Sequence, residues 1–215
     1  MSLQIRNDPF TQRLQQIGQW IAQGLLQPAA QALTEAQAQH PKDVRVALMG
    51  VRLAQQAGNL AGAVQAARRA VALEPGWFVA VTELALQLAA QGQFSEAMEH
   101  ARHAVALAPK EPRVLHSAAN VAQGAGDGKQ ALTWARTALQ LDPQNHPLRL
   151  DYAGMLYRER QYKQAQDEYN RVLQAQPGDE TALKSLLTCA LQLGDQSEAQ
   201  RLADVLIIRY PDDEQ

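Results

Sequence analysis

The sequence predicts an all-α solenoid of about six stacked helical hairpins, because three columns of residues recur every 34 positions along the 215-residue chain. A proline column comprises Pro41, Pro75, Pro109, Pro143, Pro177 and Pro211. An alanine column comprises Ala29, Ala63, Ala97, Ala131, Ala165 and Ala199. A glycine column comprises Gly24, Gly58, Gly92, Gly126 and Gly194, with Arg160 in the one exceptional place. Six prolines in phase arise by chance with a probability on the order of 10⁻⁸, so the period indicates a repeated structural unit.

The glycine and proline columns mark the ends of two predicted helices in each repeat. Glycine follows the first helix-periodic run and can adopt the left-handed conformation that closes a helix. Proline follows the second run and cannot continue it, because proline lacks the backbone N–H. In the second repeat these runs cover approximately residues 44–57 and 60–73. The gaps are so short that consecutive helices must be antiparallel neighbours, and we identify no alternating segment that would predict a strand.

The residues between these columns resemble the tetratricopeptide repeat. Its pattern of large, small and closing residues is clearest in the third repeat, at Val81, Leu84, Ala85, Leu88, Ala97, Ala101, Ala104 and Pro109. Counting from each proline places the repeats at 10–43, 44–77, 78–111, 112–145, 146–179 and 180–213. We expect residues 1–9 to be a lead segment that derives in part from cloning, and residues 214–215 to be a tail. The resemblance implies that the repeats form a superhelix.

Two features depart from the family pattern. Ile17, Val51 and Leu187 occupy places where the family favours Gly or Ala, so we expect altered helix packing near repeats one and two. The last predicted helix is apolar on more than one face, although a capping helix should be polar outside. Its apolar residues are Leu202, Val205, Leu206, Ile207 and Ile208. The apolar character of this helix predicts either that further chain follows it or that this end of the array packs on another molecule.

Composition excludes several classes of function. A formal net charge of −2 and a pI near 6.2 argue against a general nucleic-acid-binding protein. No stretch approaches the ~20 apolar residues of a membrane span, and residues 1–30 lack a secretory pattern, so we expect a cytoplasmic location. The single cysteine, Cys189, lies in an apolar run, where a buried inert thiol is expected.

The resemblance implies that the first helix of each repeat lines a concave groove that holds an extended peptide or a helix of a partner. Matching the family's groove positions gives Arg45, Met49, Arg52, Gln55, Thr82, Glu83, Leu86, Arg113, His116, Asn120, Gln123, Leu150, Asp151, Tyr157, Arg158, Lys184 and Thr188. Arg45, Arg52 and Arg113 favour an acidic or C-terminal segment, since guanidinium groups bind carboxylates bidentately. The alternative is that these arginines are ordinary solvated charges.

A family clamp for a partner's terminal carboxylate is excluded, because it needs Lys and Asn on successive groove helices. Only Asn120 fits that arrangement here, and Asp151 would repel a carboxylate. We also find no phosphate loop, nucleophile elbow or paired-cysteine metal motif. His100 and His103 share a helix face but have no third ligand nearby, so a solvated face is favoured over a metal site. The sequence therefore predicts no enzyme activity, cofactor or metal.

Three functions remain open at this point. The first is a protein-interaction scaffold or adaptor that binds a protein or peptide. The second is a recruiting arm of a larger enzyme such as a sulfotransferase or glycosyltransferase. The third is an assembly protein that self-associates into a homo-oligomer through its terminal repeats.

Overall fold

Residues 8–209 are described by a computed structural model, and this part of the chain forms twelve α-helices and no strand. The helices are α1 (Pro9–Ala22), α2 (Leu26–Gln39), α3 (Val44–Gln56), α4 (Leu60–Leu73), α5 (Phe78–Ala90), α6 (Phe94–Leu107), α7 (Pro112–Gly124), α8 (Gly128–Leu141), α9 (His146–Arg158), α10 (Tyr162–Ala175), α11 (Glu180–Leu193) and α12 (Gln196–Arg209). Each predicted repeat contributes one helical hairpin, so the all-α solenoid of 34-residue units is confirmed.

Side chains and backbone geometry fix where the helices begin and end. The carboxylate of Asp43 accepts a hydrogen bond from the amide of Arg45 at the start of α3, and Asn59 caps α4 in the same way. Five glycines of the predicted column have positive φ angles, including Gly58 at 67°. Beyond Gly58 the amide of Asn59 donates to the carbonyl of Ala54 at 2.8 Å, which closes α3.

Arg160 adopts the same left-handed conformation as the glycines, with φ of 59°. Its neighbour Gln161 donates to the carbonyl of Leu156 at 2.9 Å, as the equivalent residues do after the glycines. The repeat therefore keeps its turn geometry at a position where a side chain makes that geometry costly.

The chain divides into two compact units, residues 1–109 and 110–215. In the first unit α1 to α6 form three hairpins, each helix packs on the next, and α1 also contacts α3. In the second unit α7 to α12 repeat this arrangement, with α9 also contacting α11. Side chains also join α3 to α5, through Gln55 and Glu83, and α7 to α9, through His116 and Asp151, so the odd-numbered helices of each unit form one wall.

The hairpins pack through small residues where helices approach closely. Ala97 and its equivalents at 29, 63, 131 and 165 have no exposed surface. The sequence predicts altered helix packing near Val51, which lies on α3, a helix that packs on α4. Val51 is fully buried, and a β-carbon added at Gly50 would lie 3.4 Å from the β-carbon of Ala66. The close approach thus uses Gly50, one position before the place where the family favours a small residue.

The fifth hairpin joins its two helices through an ion pair. Arg149 on α9 donates to the carboxylate of Glu168 on α10 at 2.6 Å, and both side chains are nearly buried, at 13% and 12% exposure. Arg149 also donates to the carbonyl of Pro143 at 2.7 Å, while Arg171 reaches the other oxygen of Glu168 at 2.6 Å. The multiple hydrogen bonds compensate the desolvation of this pair.

None of the helices within residues 8–209 has both the length and the apolar character needed to cross a membrane.

Cys189 is fully buried, and burial raises the pKa of its thiol to about 11. Trp77 packs on a buried cluster that includes Val44, Ala70 and Ala80, so it serves the packing at this repeat junction.

Candidate protein-binding surfaces

The odd-numbered helices of the first unit form a groove between α1 and α3, with a volume of ≈ 540 Å³. Its lining residues are Thr11, Leu14, Gln15, Gly18, Gln19, Ala22, Arg45, Met49 and Arg52. Three of these, Arg45, Met49 and Arg52, were predicted from the sequence. The structure thus places these three candidates around one cavity.

The floor of this α1–α3 groove depends on Gly18, which the sequence analysis did not single out. A β-carbon at position 18 would lie 3.7 Å from Cε of Met49 and 4.0 Å from Nη1 of Arg52. The absence of a side chain at Gly18 therefore leaves the groove open above Leu14 and Met49. A glycine in the middle of an amphipathic helix is costly, and that cost was the available signal in the sequence.

Arg45 at one end of the groove already has a carboxylate partner. Its guanidinium binds both oxygens of Asp43, with Nη2 2.6 Å from Oδ2, and it donates to the hydroxyl of Thr11 at 3.2 Å. These hydrogen bonds raise the pKa of Arg45 and lower that of Asp43. The same guanidinium lies 5.2 Å from the ring centroid of Phe10. Arg45 therefore lines the groove, but its guanidinium is already paired with a carboxylate and is not available to bind a second one.

Arg52 has a different environment. Its side chain is exposed beside Gly18, and it forms no ion pair within the residues that the structure describes. Arg52 also acts electrostatically on Glu83 of α5, where its positive charge opposes the rise in the pKa of Glu83 that burial causes. Arg52 is thus the cation of this groove that remains available to a ligand.

Glu83 lies on α5 among amide groups. Its Oε1 accepts hydrogen bonds from Gln87 at 2.7 Å and from Gln55 at 3.3 Å. Burial nevertheless raises the pKa of Glu83. The hydroxyl of Thr82 beside it is buried and has no hydrogen-bond partner within the described chain. Together with the partly buried Leu86, these residues continue the wall of odd-numbered helices with mixed polar and apolar character.

In the second unit the predicted candidates occupy the wall formed by α7, α9 and α11. Nε2 of His116 on α7 lies 2.7 Å from Oδ2 of Asp151 on α9, so Asp151 pairs with a neighbour within the wall. Arg113 and Asn120 are exposed on α7. Oε1 of Gln123 is buried without a hydrogen-bond partner among the described residues.

The remaining candidates of the second unit are also on this wall. The ring of Tyr157 lies 5.2 Å from that of Tyr162. Lys184 contacts Glu180 one turn earlier on α11 at 2.7 Å, while Thr188 donates to the carbonyl of Ser185. The partly buried Leu150 and the exposed Arg158 lie on α9.

The histidines considered as metal ligands lie on α6. Nε2 of His100 lies 3.7 Å from Oε1 of Glu96. The same oxygen of Glu96 is already paired with Nη1 of Arg68 at 2.6 Å. No group of three or more side chains suited to a metal occurs within residues 8–209.

A family model described as tetratricopeptide repeat matches residues 122–188. No curated protein matches the sequence. Among solved structures, PilW, described as a widely conserved type IV pilus biogenesis factor, is similar with a TM-score of 0.86 and 16% identity, over 97% of this chain and 96% of that one. The pilF protein of Pseudomonas aeruginosa has a TM-score of 0.76 and 22% identity, over 95% and 93% of the two chains.

A third similar structure is YrrB, described as a TPR protein with an unusual peptide-binding site. It has a TM-score of 0.66 and 18% identity, over 85% of this chain and 94% of that one. At these identities the structural likeness establishes the fold. The six sequence repeats, the twelve helices within residues 8–209 and the family match over residues 122–188 agree, and the fold is a solenoid of tetratricopeptide-type helical hairpins.

Proposed function

We propose that this protein is an interaction scaffold, and that the α1–α3 groove of its first unit binds an apolar side chain of a partner segment next to an acidic group. The observation that carries this proposal is the opening at Gly18, where an apolar floor lies beside the guanidinium of Arg52. Apolar pockets with a few converging polar groups are the usual form of a ligand-binding site, and peptides that bind in grooves are held through apolar anchor side chains.

The charges in the α1–α3 groove support the binding of one acidic group beside Arg52, rather than the binding of an acidic segment by Arg45, Arg52 and Arg113 together. Arg45 is occupied by Asp43, whereas Arg52 has no ion-pair partner within residues 8–209. A partner carboxylate that pairs with Arg52 forms a charge-assisted hydrogen bond without breaking an existing one. Arg113 lies in the second unit, and its role is therefore tested separately from that of Arg52.

A random peptide library displayed on phage and panned against the full chain tests the proposal. Selected peptides are expected to carry an apolar residue close to Asp or Glu. Gly18→Leu fills the groove and Arg52→Gln removes the cation, and each is expected to weaken binding by roughly tenfold, as for the loss of about 1.4 kcal/mol. Gln16→Leu adds the same side chain to an exposed position of α1 outside the groove and is the matched control.

Dissociation constants measured by fluorescence anisotropy give the decision. Peptides that bind Gly18→Leu and Arg52→Gln as tightly as the unchanged chain would contradict the α1–α3 groove as the binding site. If Arg113→Gln alone weakens them, the partner binds the second unit instead.

A second candidate is a role in the assembly of bacterial pili, favoured by the likeness to PilW over nearly the whole of both chains. Deletion of the gene in its native host, followed by counting surface pili by electron microscopy, tests this role. Unchanged pilus numbers would count against it. The recruiting-arm and self-association alternatives, and the expected cytoplasmic location, remain predictions.

A further inference from the structure

Helix α5 carries a small group of polar side chains that lie next to one another. Thr82, Glu83 and Gln87 are the only polar residues of Phe78–Ala90, whose other residues are Phe, Val, Ala and Leu. Gln87 is 4% exposed, and Thr82 and Glu83 are partly buried. Because burying polar groups is costly, this α5 polar cluster indicates a role beyond the packing of an otherwise apolar helix.

The hydrogen bonds of the cluster leave one oxygen of Glu83 without a donor. Nε2 of Gln87 and Nε2 of Gln55 on α3 both reach Oε1, at 2.7 and 3.3 Å. Within residues 8–209 the other oxygen, Oε2, accepts no hydrogen bond, and Glu83 forms no ion pair. Solvent reaches Oε2, whereas the unpartnered Oγ1 of Thr82 is buried. The wall therefore presents one accessible carboxylate oxygen to a ligand.

The environment of this carboxylate favours a ligand that carries positive charge. Burial disfavours the charged form of Glu83 and raises its pKa, although the positive charge of Arg52 opposes this rise. A partly desolvated carboxylate interacts more strongly with a cation than a fully solvated one does, because less water screens the two charges. The group that best complements Oε2 is thus a cationic hydrogen-bond donor.

Arg52 does not supply this donor within the described chain. Its Nη1 lies on the side of Gly18, where an added β-carbon would be 4.0 Å away, and no hydrogen bond or ion pair joins Arg52 to Glu83. The wall of the first unit therefore presents three features in order. These are the opening at Gly18 on α1, the cation of Arg52 on α3 and the anion of Glu83 on α5.

The spacing of the helices sets the spacing of the matching groups on a partner. Helices that pack side by side are about 8–10 Å apart, so charges on α3 and α5 are separated by about that distance. An extended peptide advances about 3.3–3.6 Å per residue. Two of its side chains that reach neighbouring helices are therefore about three residues apart.

We propose that Oε2 of Glu83 binds a lysine or arginine side chain of the partner segment, about three residues from the acidic residue that pairs with Arg52. The basic residue lies on the side of the acidic residue that points away from the α1–α3 groove. This inference rests on the function proposed above and adds the class of partner, a segment with apolar, acidic and basic residues in that order along the wall. A uniformly acidic segment is selected against, because its second carboxylate would be repelled by Glu83.

Short synthetic peptides with a fixed Leu-Asp pair test the charge order. Three sets carry Lys, Gln or Glu at each later position in turn, with random residues elsewhere, and a reversed series covers a partner bound in the opposite direction. Dissociation constants with the full chain are measured by fluorescence anisotropy. At the matching position the Lys peptides should bind about tenfold more tightly than the Gln peptides, as for one charge-assisted hydrogen bond, and the Glu peptides should bind most weakly.

The variant Glu83→Gln removes the charge and keeps a polar side chain of similar size. It is expected to abolish the advantage of Lys over Gln and to leave the affinity of the Gln peptides unchanged. Glu99→Gln removes the same charge from an exposed position on α6 and is the matched control, so it should keep the full advantage.

A pH series gives a second measurement on the unchanged chain. Protons compete with lysine for Glu83, so the ratio of the Lys and Gln affinities should fall toward one as pH falls through the raised pKa of Glu83. The ratio is used because the peptide Asp titrates in both sets and cancels. In Glu83→Gln the ratio should be independent of pH.

The outcomes separate this inference from the function on which it rests. If Gly18→Leu and Arg52→Gln weaken all sets while Lys and Gln peptides bind equally, the inference is wrong and the proposed function stands. A preference for Lys that persists in Glu83→Gln, with the same helicity by circular dichroism, would also overturn it, because another group would then bind the lysine. If no set binds, or if Gly18→Leu and Arg52→Gln change nothing, both fail together.

Discussion

Gly18 and Gly24 allow the same chemical change, glycine to alanine, in two opposite backbone settings. Gly18 lies inside α1 with ordinary helical geometry, whereas Gly24 follows α1 with φ of 74°. A β-carbon at Gly24 would meet no atom within 4 Å, so only backbone conformation distinguishes the glycine from an alanine there. The pair therefore isolates what the α1 backbone contributes to stability.

The expected gain for Gly18→Ala follows from two terms. Alanine is favoured over glycine in a helix interior by about 0.8–1.0 kcal/mol. The new β-carbon would lie 3.7 and 3.9 Å from Cε and Sδ of Met49 and 4.0 Å from Nη1 of Arg52, which are ordinary van der Waals contacts. Each is worth about 0.1–0.2 kcal/mol, so the two terms together predict a stabilisation of about 1.1–1.6 kcal/mol. Gly24→Ala is expected to destabilise by about 1 kcal/mol, because alanine is strained at positive φ.

Native-state hydrogen exchange of the α1 amides measures these changes directly. A global unfolding midpoint is a weaker measurement, since repeat arrays can open from an end before they unfold completely. Slower exchange in Gly18→Ala and faster exchange in Gly24→Ala are the expected results. A loss of protection in Gly18→Ala would refute the reasoning, because it would mean that the backbone at Gly18 is not in relaxed helical geometry.

Three other predictions concern packing, turn geometry and charge. Ala97→Leu should destabilise the protein by ~1–3 kcal/mol in urea unfolding, because Ala97 has no exposed surface and leucine would overpack the site; unchanged stability would contradict close packing there. Arg160→Gly should stabilise by about 0.5–1 kcal/mol in the same assay, the left-handed penalty of arginine less the greater unfolded-chain entropy of glycine; a loss of stability would show that the side chain of Arg160 matters more than its φ angle. Burial raises the pKa of Glu83 above its ordinary value of 4.5, so the folded state binds that proton more tightly than the unfolded state. The stabilising contribution of that proton is complete below pH 4.5 and is lost as pH rises through the raised pKa. The free energy of unfolding of Glu83→Gln should lack this loss, so the variant should be more stable than the unchanged chain at neutral pH. Parallel pH profiles of the free energy of unfolding for the two proteins would contradict the raised pKa of Glu83.

The sequence alone was sufficient for the secondary structure of the repeats, because proline and glycine act on the backbone locally. The runs predicted at 44–57 and 60–73 correspond to α3 and α4, Val44–Gln56 and Leu60–Leu73. The turn at Arg160 was harder to predict, since arginine gives no local signal for positive φ. Only the 34-residue period around Arg160 indicates that a turn is needed there.

The candidate groove could be predicted in part. The resemblance to the repeat family gave Met49 and Arg52 as groove residues, and the structure brings both to the α1–α3 groove. The occupation of Arg45 by Asp43 depends on side-chain rotamers at the start of α3, which periodicity does not determine. The role of Gly18 depends on the distance between α1 and α3, which emerges only when the hairpins are packed.

The ion pair between Arg149 and Glu168 has a consequence for how the fifth hairpin opens. The two residues lie on consecutive helices of one repeat, and each side chain is nearly buried. If α10 detached while α9 stayed packed on its other neighbours, Arg149 would be left without its carboxylate, at a cost of several kcal/mol. The pair therefore favours opening of α9 and α10 together, as one cooperative unit, over the loss of one helix at a time.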